Sequence, residues 1–207
     1  MKKSEIVILD YGVGNIGAIQ NMLSYLNIDS LITNNLDTIS SAKKLILPGV
    51  GNFGTGMSSL RNNGMGEALT QALGDDAKLL GICLGFQMLF NSSEEAPEQK
   101  GLGLIEGHVE KFSSKQIKQR VPHVGWNAVR PVRDTKLFDT SLVDLRYYFV
   151  HSYFAKCDDE DAIAANCNYG GEFVCAVEKN NIFGVQFHPE KSHRFGMEIF
   201  SKFASLP

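Results

Sequence analysis

The hydrophobic pattern of the N-terminal half alternates short apolar runs with helical periodicity. Ile6–Leu9 is a continuous apolar run, which is typical of a strand buried on both faces. Apolar residues then recur at helical spacing, at Ile16, Ile19, Leu23 and Leu26. Further strands are predicted at Ser30–Thr33, Lys44–Leu47 and Lys78–Ile82. Because strands that alternate with helices form parallel sheets covered on both faces, this half predicts an α/β fold with a mostly parallel central sheet.

The pattern changes after Glu94, where most segments have the composition of strands. These segments are GHVEKF, RYYFVHSYF, EFVCAVEK and IFGVQF, and Asn180-Asn181 between the last two predicts a hairpin turn. The C-terminal segment begins with a candidate N-cap, Ser192, and places four apolar residues on one helical face: Phe195, Ile199, Phe200 and Phe203. No linker divides the chain, so residues 1–207 are predicted to form one domain with an additional antiparallel β segment.

Composition and charge restrict the class of function. The formal net charge of -3 provides no basic surface for nucleic acid. No apolar run approaches the roughly 18 residues that span a bilayer, and the N-terminus lacks the pattern of a signal peptide. No histidine–carboxylate cluster has the spacing of a zinc site, so we expect neither metal nor cofactor. The four cysteines lie in no C-x-x-C spacing, which predicts reduced thiols in a cytoplasmic protein: Cys83, Cys157, Cys167 and Cys175.

Two glycine-rich turns, at residues 12–17 and 49–54, fit the G-x-G-x-x-G pattern of dinucleotide-binding proteins. The first lies between a strand and a helix, which is the context that such a site requires. The pattern also needs an acidic residue about 20 positions further on, to bind the ribose. Here that region reads Thr33-Asn34-Asn35, and Asp37 comes late. A dinucleotide-binding module therefore remains a hypothesis, and tight turns built from small residues are the alternative.

A sharper signal is GICLG at residues 81–85, the thiol form of the G-x-S-x-G nucleophile elbow. The pattern predicts a strand before Cys83 and a helix after it. The flanking glycines would let the neighbouring backbone approach closely. A helix N-terminus favours a thiolate and directs backbone N–H groups, that of Leu84 first, at an oxyanion. The alternative is that Cys83 is a small buried hydrophobe at the end of a strand.

The segment FHPE at residues 187–190 offers the two partners that a nucleophilic cysteine needs, a base and a group that orients the base. In an extended segment, residues two apart point the same way. His188 and Glu190 are therefore predicted to be neighbours in space, with Pro189 restricting the backbone between them.

Three further segments are candidates for the walls of this site. PGVG at residues 48–51 follows the third strand and can present a second oxyanion donor, from Val50 or Gly51, although a simple turn is the alternative. His123 and His151 lie in aromatic-rich segments that indicate an interface or a site wall. If His188 is not the base, His151 is the next candidate.

Together, PGVG, GICLGFQ and FGVQFHPEKS resemble the class I glutamine amidotransferases, a family of triad glutaminases with a flavodoxin-like fold. The resemblance implies that Cys83 is the nucleophile, His188 the general base and then acid, and Glu190 the orienting group. It implies that L-glutamine is hydrolysed to glutamate and ammonia through a glutamyl thioester on Cys83. Five residues match positions that hold glutamine in the family: Gly51, Gln87, Glu95, Ser152 and Tyr153. A free amino acid offers an ammonium group for Glu95 and a carboxylate for the last two.

The motifs DYGVGNIG, PHVGWN and YYFVHSY narrow the resemblance to the glutaminase subunits of imidazole glycerol phosphate synthases, from end to end. This resemblance implies a heterodimer with a barrel-shaped cyclase subunit of histidine biosynthesis, which receives the ammonia. Four residues match positions that face this partner: Asn15, Trp126, Tyr148 and Lys191. Core packing is the alternative for Trp126. The segment KSHRFGMEIFSK is similar to paralogues that supply ammonia for surface-sugar amidination, and a stand-alone cysteine hydrolase or peptidase is a further hypothesis.

Overall fold

The computed structural model describes residues 5–113, 119–139 and 144–207 of the chain. The strands in these residues are, in chain order, β1 (Ile6–Leu9), β2 (Ser30–Thr33), β3 (Lys44–Leu47), β4 (Lys78–Ile82), β5 (Ser92–Ser93), β6 (Gly107–Lys111), β7 (His123–Pro131), β8 (Arg146–His151), β9 (Tyr153–Cys157), β10 (Ile163–Asn168), β11 (Glu172–Lys179) and β12 (Ile182–Val185). The helices are α1 (Ile16–Tyr25), α2 (Leu36–Ser41), α3 (Phe53–Asn62), α4 (Met65–Gly74), α5 (Leu84–Gln87) and α6 (His193–Ser205). Single 3-10 turns lie at Glu160–Ala162 and Pro189–Lys191.

A parallel core lies at one end of the sheet, in the order β2-β1-β3-β4-β12. β12 returns from the far end of the chain and pairs in parallel with β4, with Val185 opposite Ile82. From β12 the sheet continues through the antiparallel strands β11, β10, β7 and β8. A branch formed by β5, β6 and β9 joins it at β11. The predicted α/β fold, a parallel central sheet with an added antiparallel segment, is therefore confirmed.

Helices cover both faces of the parallel core because its strands are apolar on both sides. Ile6 and Ile8 belong to one buried cluster, which includes side chains of α1 and α6 such as Phe200. Val7 and Leu9 point the other way, into a second cluster that includes side chains of α2, α3 and α4. The alternation of side chains along a strand thus explains why β1 reads as an unbroken apolar run.

The strands of the N-terminal half begin and end where the hydrophobic pattern predicts. The predicted hairpin turn is also confirmed, with Asn180 in the left-handed region at φ 55°. The segment RYYFVHSYF, in contrast, is divided at Ser152 into β8 and β9. The sequence did not single out α3, because its glycines lower its intrinsic helix propensity. Burial of Phe53 and Met57 in the core stabilises this helix instead.

Helix α6 has the predicted apolar face, since Ile199, Phe200 and Phe203 are fully buried. Ser192 occupies the N-cap position, but its side chain makes no capping hydrogen bond. Its hydroxyl instead donates to the His188 carbonyl oxygen at 2.6 Å and accepts the Tyr148 N–H at 3.0 Å. In the described ranges, no helix is long and apolar enough to cross a membrane.

We predict that Gly196 is required where α6 crosses the turn that carries Glu190. A Cβ at Gly196 would lie 1.8 Å from the carbonyl oxygen of Pro189. Gly196→Ala should therefore lower the free energy of unfolding by about 1–3 kcal/mol, as overpacking does. In the matched control Gly74→Ala, no atom lies within 4 Å of the added Cβ, and the expected effect is between zero and a gain of about 1 kcal/mol. Equal urea denaturation midpoints for the two variants would contradict this reading.

Candidate active site

Cys83 lies on a strained turn between β4 and α5, at φ 54° and ψ -104°. Few residues other than glycine adopt this region, and such strain is concentrated at functional sites. The two flanking glycines make the turn possible. A Cβ on Gly85 would lie 1.9 Å from the Leu47 carbonyl oxygen, and one on Gly81 would lie 2.8 Å from the Gly85 carbonyl oxygen. The close backbone approach inferred from the motif is present.

The helix predicted after Cys83 is present, and α5 is a single turn. Its continuation is prevented by the segment that follows. The N–H groups of Leu102 and Leu104 donate to the carbonyl oxygens of Met88 and Leu89, each at 2.8 Å. Carbonyls that accept these long-range hydrogen bonds are not available to extend the helix.

His188 and Glu190 form a buried pair beside the end of β12. Nδ1 of His188 lies 2.8 Å from Oε1 of Glu190, and the side chains are 2% and 1% exposed. The predicted extended path between them is wrong, because Pro189–Lys191 forms a 3-10 turn that begins after His188. The backbone of His188 is held from β8, where the Tyr148 carbonyl oxygen accepts its N–H at 2.9 Å.

The surroundings of His188 favour its protonated form. Burial opposes protonation, but the neighbouring side chains of Cys83 and Glu190 outweigh burial and raise the pKa of His188 well above its ordinary value. Among the described residues, Nε2 of His188 and Oε2 of Glu190 are buried atoms without a hydrogen-bond partner of good geometry. The contact between the imidazole and Cys83 is thus looser than a well-formed hydrogen bond, which is common in triads without substrate.

A pocket of about 320 Å³ opens beside Cys83 and His188. Its walls include every residue that the sequence associates with an oxyanion or with glutamine: Val50, Gly51, Leu84, Gln87, Glu95, Ser152 and Tyr153. Pro122, Val150 and His151 complete the lining. Sequence reasoning did not select Pro122 or Val150. Glu190 is not part of the lining, because it lies behind His188.

Glu95 is held in place by the first turn of α3. Its Oε2 accepts the backbone N–H of Phe53 at 2.7 Å. The N-terminus of a helix stabilises a carboxylate through its unpaired N–H groups and its dipole. The other carboxylate oxygen of Glu95 is left for a ligand in the pocket.

The backbone next to Cys83 carries an unexpected contact. Leu84 N–H, the first oxyanion donor inferred from the sequence, donates instead to the Gly49 carbonyl oxygen at 3.3 Å. The following loop has Gly51 at φ 110°, and the Tyr11 hydroxyl donates to the Pro48 carbonyl oxygen. In this arrangement a carbonyl group faces the place where a second donor is expected.

His151 lines the pocket but its two ring nitrogens are already engaged. Nδ1 donates to the Tyr153 carbonyl oxygen at 2.7 Å, so Nε2 accepts a hydrogen bond from Nδ1 of His123 at 3.0 Å. Asn127 donates in turn to Nε2 of His123 at 3.3 Å. Burial lowers the pKa of His151 to about 3 and that of His123 to about 4. These contacts make His151 unsuitable as the base.

The residues associated with a partner surface lie at or near the protein surface. Trp126 is 43% exposed, so the alternative of core packing is wrong. Its ring stacks on that of His193 at 5.5 Å between centroids and lies 6.4 Å from that of Tyr148. Nζ of Lys191 lies 5.7 Å from the Tyr148 ring centroid. Asn15 is exposed at the N-cap position of α1, where its side chain makes no capping hydrogen bond.

Comparison with known proteins agrees with this geometry. The family model of class-I glutamine amidotransferases matches residues 7–205. The chain is 47% identical over 199 residues to the imidazole glycerol phosphate synthase subunit HisH 2 of Methanococcus maripaludis, which covers 96% of this chain and 98% of that protein. It is 43% identical over 202 residues to the chloroplastic imidazole glycerol phosphate synthase hisHF of Arabidopsis thaliana, which covers 97% of this chain and 34% of that protein.

A solved structure described as a glutamine amidotransferase has the same fold, with a TM-score of 0.76 at 19% identity and coverage of 97% of this chain and 99% of that one. The sequence match extends over almost all of the described residues. It includes both the turn that carries Cys83 and the turn that carries Glu190. The chain therefore belongs to the class-I glutamine amidotransferase family.

Proposed function

We propose that this chain is the glutaminase subunit of an imidazole glycerol phosphate synthase, and that it supplies ammonia from L-glutamine to a cyclase subunit. The observation that carries the proposal is the position of Cys83, a thiol on a strained turn that shares a pocket with His188, which is itself paired with the buried Glu190. The relatives support the identity of the acceptor, because two proteins that match nearly the whole chain bear this enzyme's name. No comparable observation favours sugar amidination, peptide hydrolysis or dinucleotide binding.

The proposed reaction forms and then hydrolyses a thioester. The proton of the Cys83 thiol passes to Nε2 of His188, and the sulfur attacks the γ-carbonyl carbon of glutamine, so that a C–S bond forms and negative charge moves to the oxygen. His188 donates a proton to the amide nitrogen, the C–N bond breaks and ammonia leaves. His188 then takes a proton from the water that attacks the thioester. The C–S bond breaks, glutamate is released, and His188 returns the proton to the sulfur. Glu190 remains an anion and holds the Nδ1–H of His188, which keeps Nε2 directed at the reacting atoms.

The polar groups of the pocket suit both ends of a free amino acid. The oxygen of Glu95 that does not accept the Phe53 N–H is available to the α-ammonium group. Gly51, Ser152 and Tyr153 line the same pocket and offer N–H and O–H donors to the α-carboxylate. The arrangement supports a small amino acid with an amide side chain as substrate.

We also propose that the loop of residues 48–51 keeps the glutaminase activity of the isolated chain low. Turning over the Gly49–Val50 peptide would remove the Gly49 carbonyl from Leu84 and direct the Val50 N–H to the same place. Val50 lies outside the left-handed region in this state. The rotation would move its φ toward positive values, which is costly for a β-branched residue. Partner docking would have to supply contacts that favour the turned state.

The proposed partner surface is continuous with the mouth of the pocket. Val124 and Val150 face each other across β7 and β8 and are 53% and 36% exposed, and Val150 also lines the pocket. Exposed apolar side chains that lie together indicate an interaction surface. With them we assign four further residues to this surface: Asn15, Trp126, Tyr148 and Lys191. A cyclase that docks there would cover the pocket and separate the ammonia from solvent.

The thiols support a cytoplasmic location as part of this proposal. All four cysteines are free, and none of them pairs with another. Cys83 must remain reduced in order to attack glutamine. Reducing compartments such as the cytoplasm maintain thiols in that state.

The role of Cys83 can be tested in the complex with the cyclase. Cys83→Ala should abolish glutamine-dependent formation of imidazole glycerol phosphate. It should leave the reaction with high ammonium salt unchanged, because ammonia then reaches the cyclase directly. Cys157→Ala is the matched control and should retain both activities. Loss of the ammonium-dependent reaction in Cys83→Ala would show that this residue does more than supply ammonia.

The two triad partners should differ in importance. His188→Ala removes the group that moves the proton, whereas Glu190→Gln keeps a side chain of the same shape that only orients it. We expect Glu190→Gln to retain about 10- to 100-fold more glutaminase activity than His188→Ala, as for orienting acids in other triads. The measurement is kcat for glutamine hydrolysis by the complex. Full activity in both variants would place the base elsewhere.

The proposed rotation of the Gly49–Val50 peptide predicts that a substitution in this loop can raise glutamine hydrolysis by the isolated chain. Val50→Gly removes the steric cost of positive φ, roughly 1–2 kcal/mol, and should raise partner-free glutamine hydrolysis about tenfold. Val132→Gly is the matched control, because this valine is similarly exposed but does not line the pocket. Its partner-free rate should stay at the wild-type level. If the wild-type chain alone already hydrolyses glutamine as fast as the complex with acceptor bound, no switch exists.

A further inference from the structure

Gln186 is a buried amide to which the reaction above assigns no role. It follows β12, is 0% exposed, and donates its backbone N–H to the Cys175 carbonyl oxygen at 2.9 Å. Its side chain lies between two residues of the site. Nε2 is 3.8 Å from Sγ of Cys83, and Oε1 is 3.0 Å from Nε2 of Gln87. A buried amide is costly unless its polar atoms are paired, so these contacts require an explanation.

The direction of each hydrogen bond follows from the Tyr153 carbonyl. This oxygen can only accept, so the Gln87 atom that lies 3.1 Å from it must be the NH₂ group. The same NH₂ group faces Gln186, which must therefore present Oε1 to it. The NH₂ group of Gln186 is then the one directed at Sγ of Cys83. The orientations of both amides are thus set by one backbone carbonyl.

Gln87 has one polar atom left after these contacts. Both hydrogens of its NH₂ group are used, toward Tyr153 and Gln186. Its Oε1 accepts no hydrogen bond from any of the described residues, and Gln87 lines the pocket. The free atom is an acceptor, and a carbonyl oxygen in a pocket that is also lined by the Glu95 carboxylate is suited to an ammonium group.

The other end of the chain of hydrogen bonds is anchored as well. The second lone pair of the Tyr153 carbonyl accepts Nδ1–H of His151 at 2.7 Å, and His151 is held by His123. The amide nitrogen of Asn127 donates to His123 at 3.3 Å and to the Asn168 carbonyl oxygen at 2.9 Å. In each hydrogen bond of this series, from Asn127 on β7 to the sulfur of Cys83, the donor and the acceptor are therefore determined. If the Gln87 side-chain amide were reversed, its oxygen would face two other acceptors, the Tyr153 carbonyl oxygen and Oε1 of Gln186.

We propose that Gln186 is a positioning residue of the glutaminase site, which holds the amide of Gln87 so that its Oε1 faces the pocket and accepts the α-ammonium group of glutamine. The inference rests on the proposed function. It predicts that Gln186 contributes to the selection of an amide substrate that carries an α-amino group. A role limited to packing would affect all amide substrates alike.

The test compares L-glutamine with glutaric acid monoamide, which is glutamine without its α-amino group. Ammonia release from each is measured for the wild-type chain, Gln186→Met and Gln186→Glu, all bound to the cyclase subunit. The readout is the ratio of kcat/KM for glutamine to kcat/KM for the monoamide. Gln186→Met removes the acceptor for Gln87 at similar volume. It should lower the ratio about three- to tenfold, the equivalent of one hydrogen bond, mainly through a higher KM for glutamine.

Gln186→Glu is the conservative variant, because it keeps an oxygen that accepts the Gln87 NH₂ group. It should retain the wild-type ratio even where its kcat is lower, since a carboxyl group then lies next to the sulfur. If Gln186→Met does not fold, Gln186→Asn replaces it with the same expected loss, because the shorter amide cannot reach both neighbours.

Two results would overturn the inference. One is that Gln186→Met keeps the wild-type ratio of kcat/KM for glutamine to kcat/KM for the monoamide, because both values change by the same factor. The other is a loss of the ratio in Gln186→Glu that equals the loss in Gln186→Met. A wild-type complex that releases ammonia from neither substrate would instead contradict the proposed glutaminase function.

Discussion

The site depends on the close contact between the turn after β4 and the end of β3. A Cβ on Gly85 would lie 1.9 Å from the Leu47 carbonyl oxygen, so only glycine permits this approach. The contact accompanies the strained backbone of Cys83 at φ 54°. It also brings Leu84 N–H to the Gly49 carbonyl oxygen, at 3.3 Å. The strained turn of Cys83, the proposed nucleophile, and the occupied Leu84 N–H are thus two consequences of one packing constraint.

The two halves of the sheet contribute different parts of the site. The parallel half carries Cys83, at the carboxyl end of β4, where ligands of α/β sheets usually bind. The antiparallel half positions His188, the proposed base, because the Tyr148 carbonyl oxygen on β8 accepts the His188 N–H and the Tyr148 N–H donates to Ser192. Tyr148 also belongs to the proposed partner surface. A partner that docks there would act on a strand that is hydrogen-bonded directly to the segment bearing the base.

The buried polar groups combine strict pairing with a few unpaired atoms. From Asn127 to Gln186, each donor in the buried chain has an acceptor, which limits the cost of placing amides and imidazoles in the interior. Among the described residues, the buried side-chain atoms without a partner are Oδ1 of Asn166, Nε2 of His188 and Oε2 of Glu190. Two of these three belong to the proposed triad. Unpaired buried atoms lower the stability of the folded chain, and here two of them belong to the groups that would take part in the reaction.

Features that depend on local pattern can be derived from the amino-acid sequence alone. Apolar runs located β1 to β4, and the spacing of glycines around Cys83 and the pairing of His188 with Glu190 indicated the chemistry. Tertiary structure decided the features that depend on contacts between distant segments. These include the single-turn length of α5, the use of the Ser192 hydroxyl away from its own helix, the occupied Leu84 N–H and the orientation of Gln186 toward Cys83. The local pattern shows which side chains and backbone groups a segment contains. Hydrogen bonds between residues as far apart in sequence as 83 and 186 form only when folding brings their strands together.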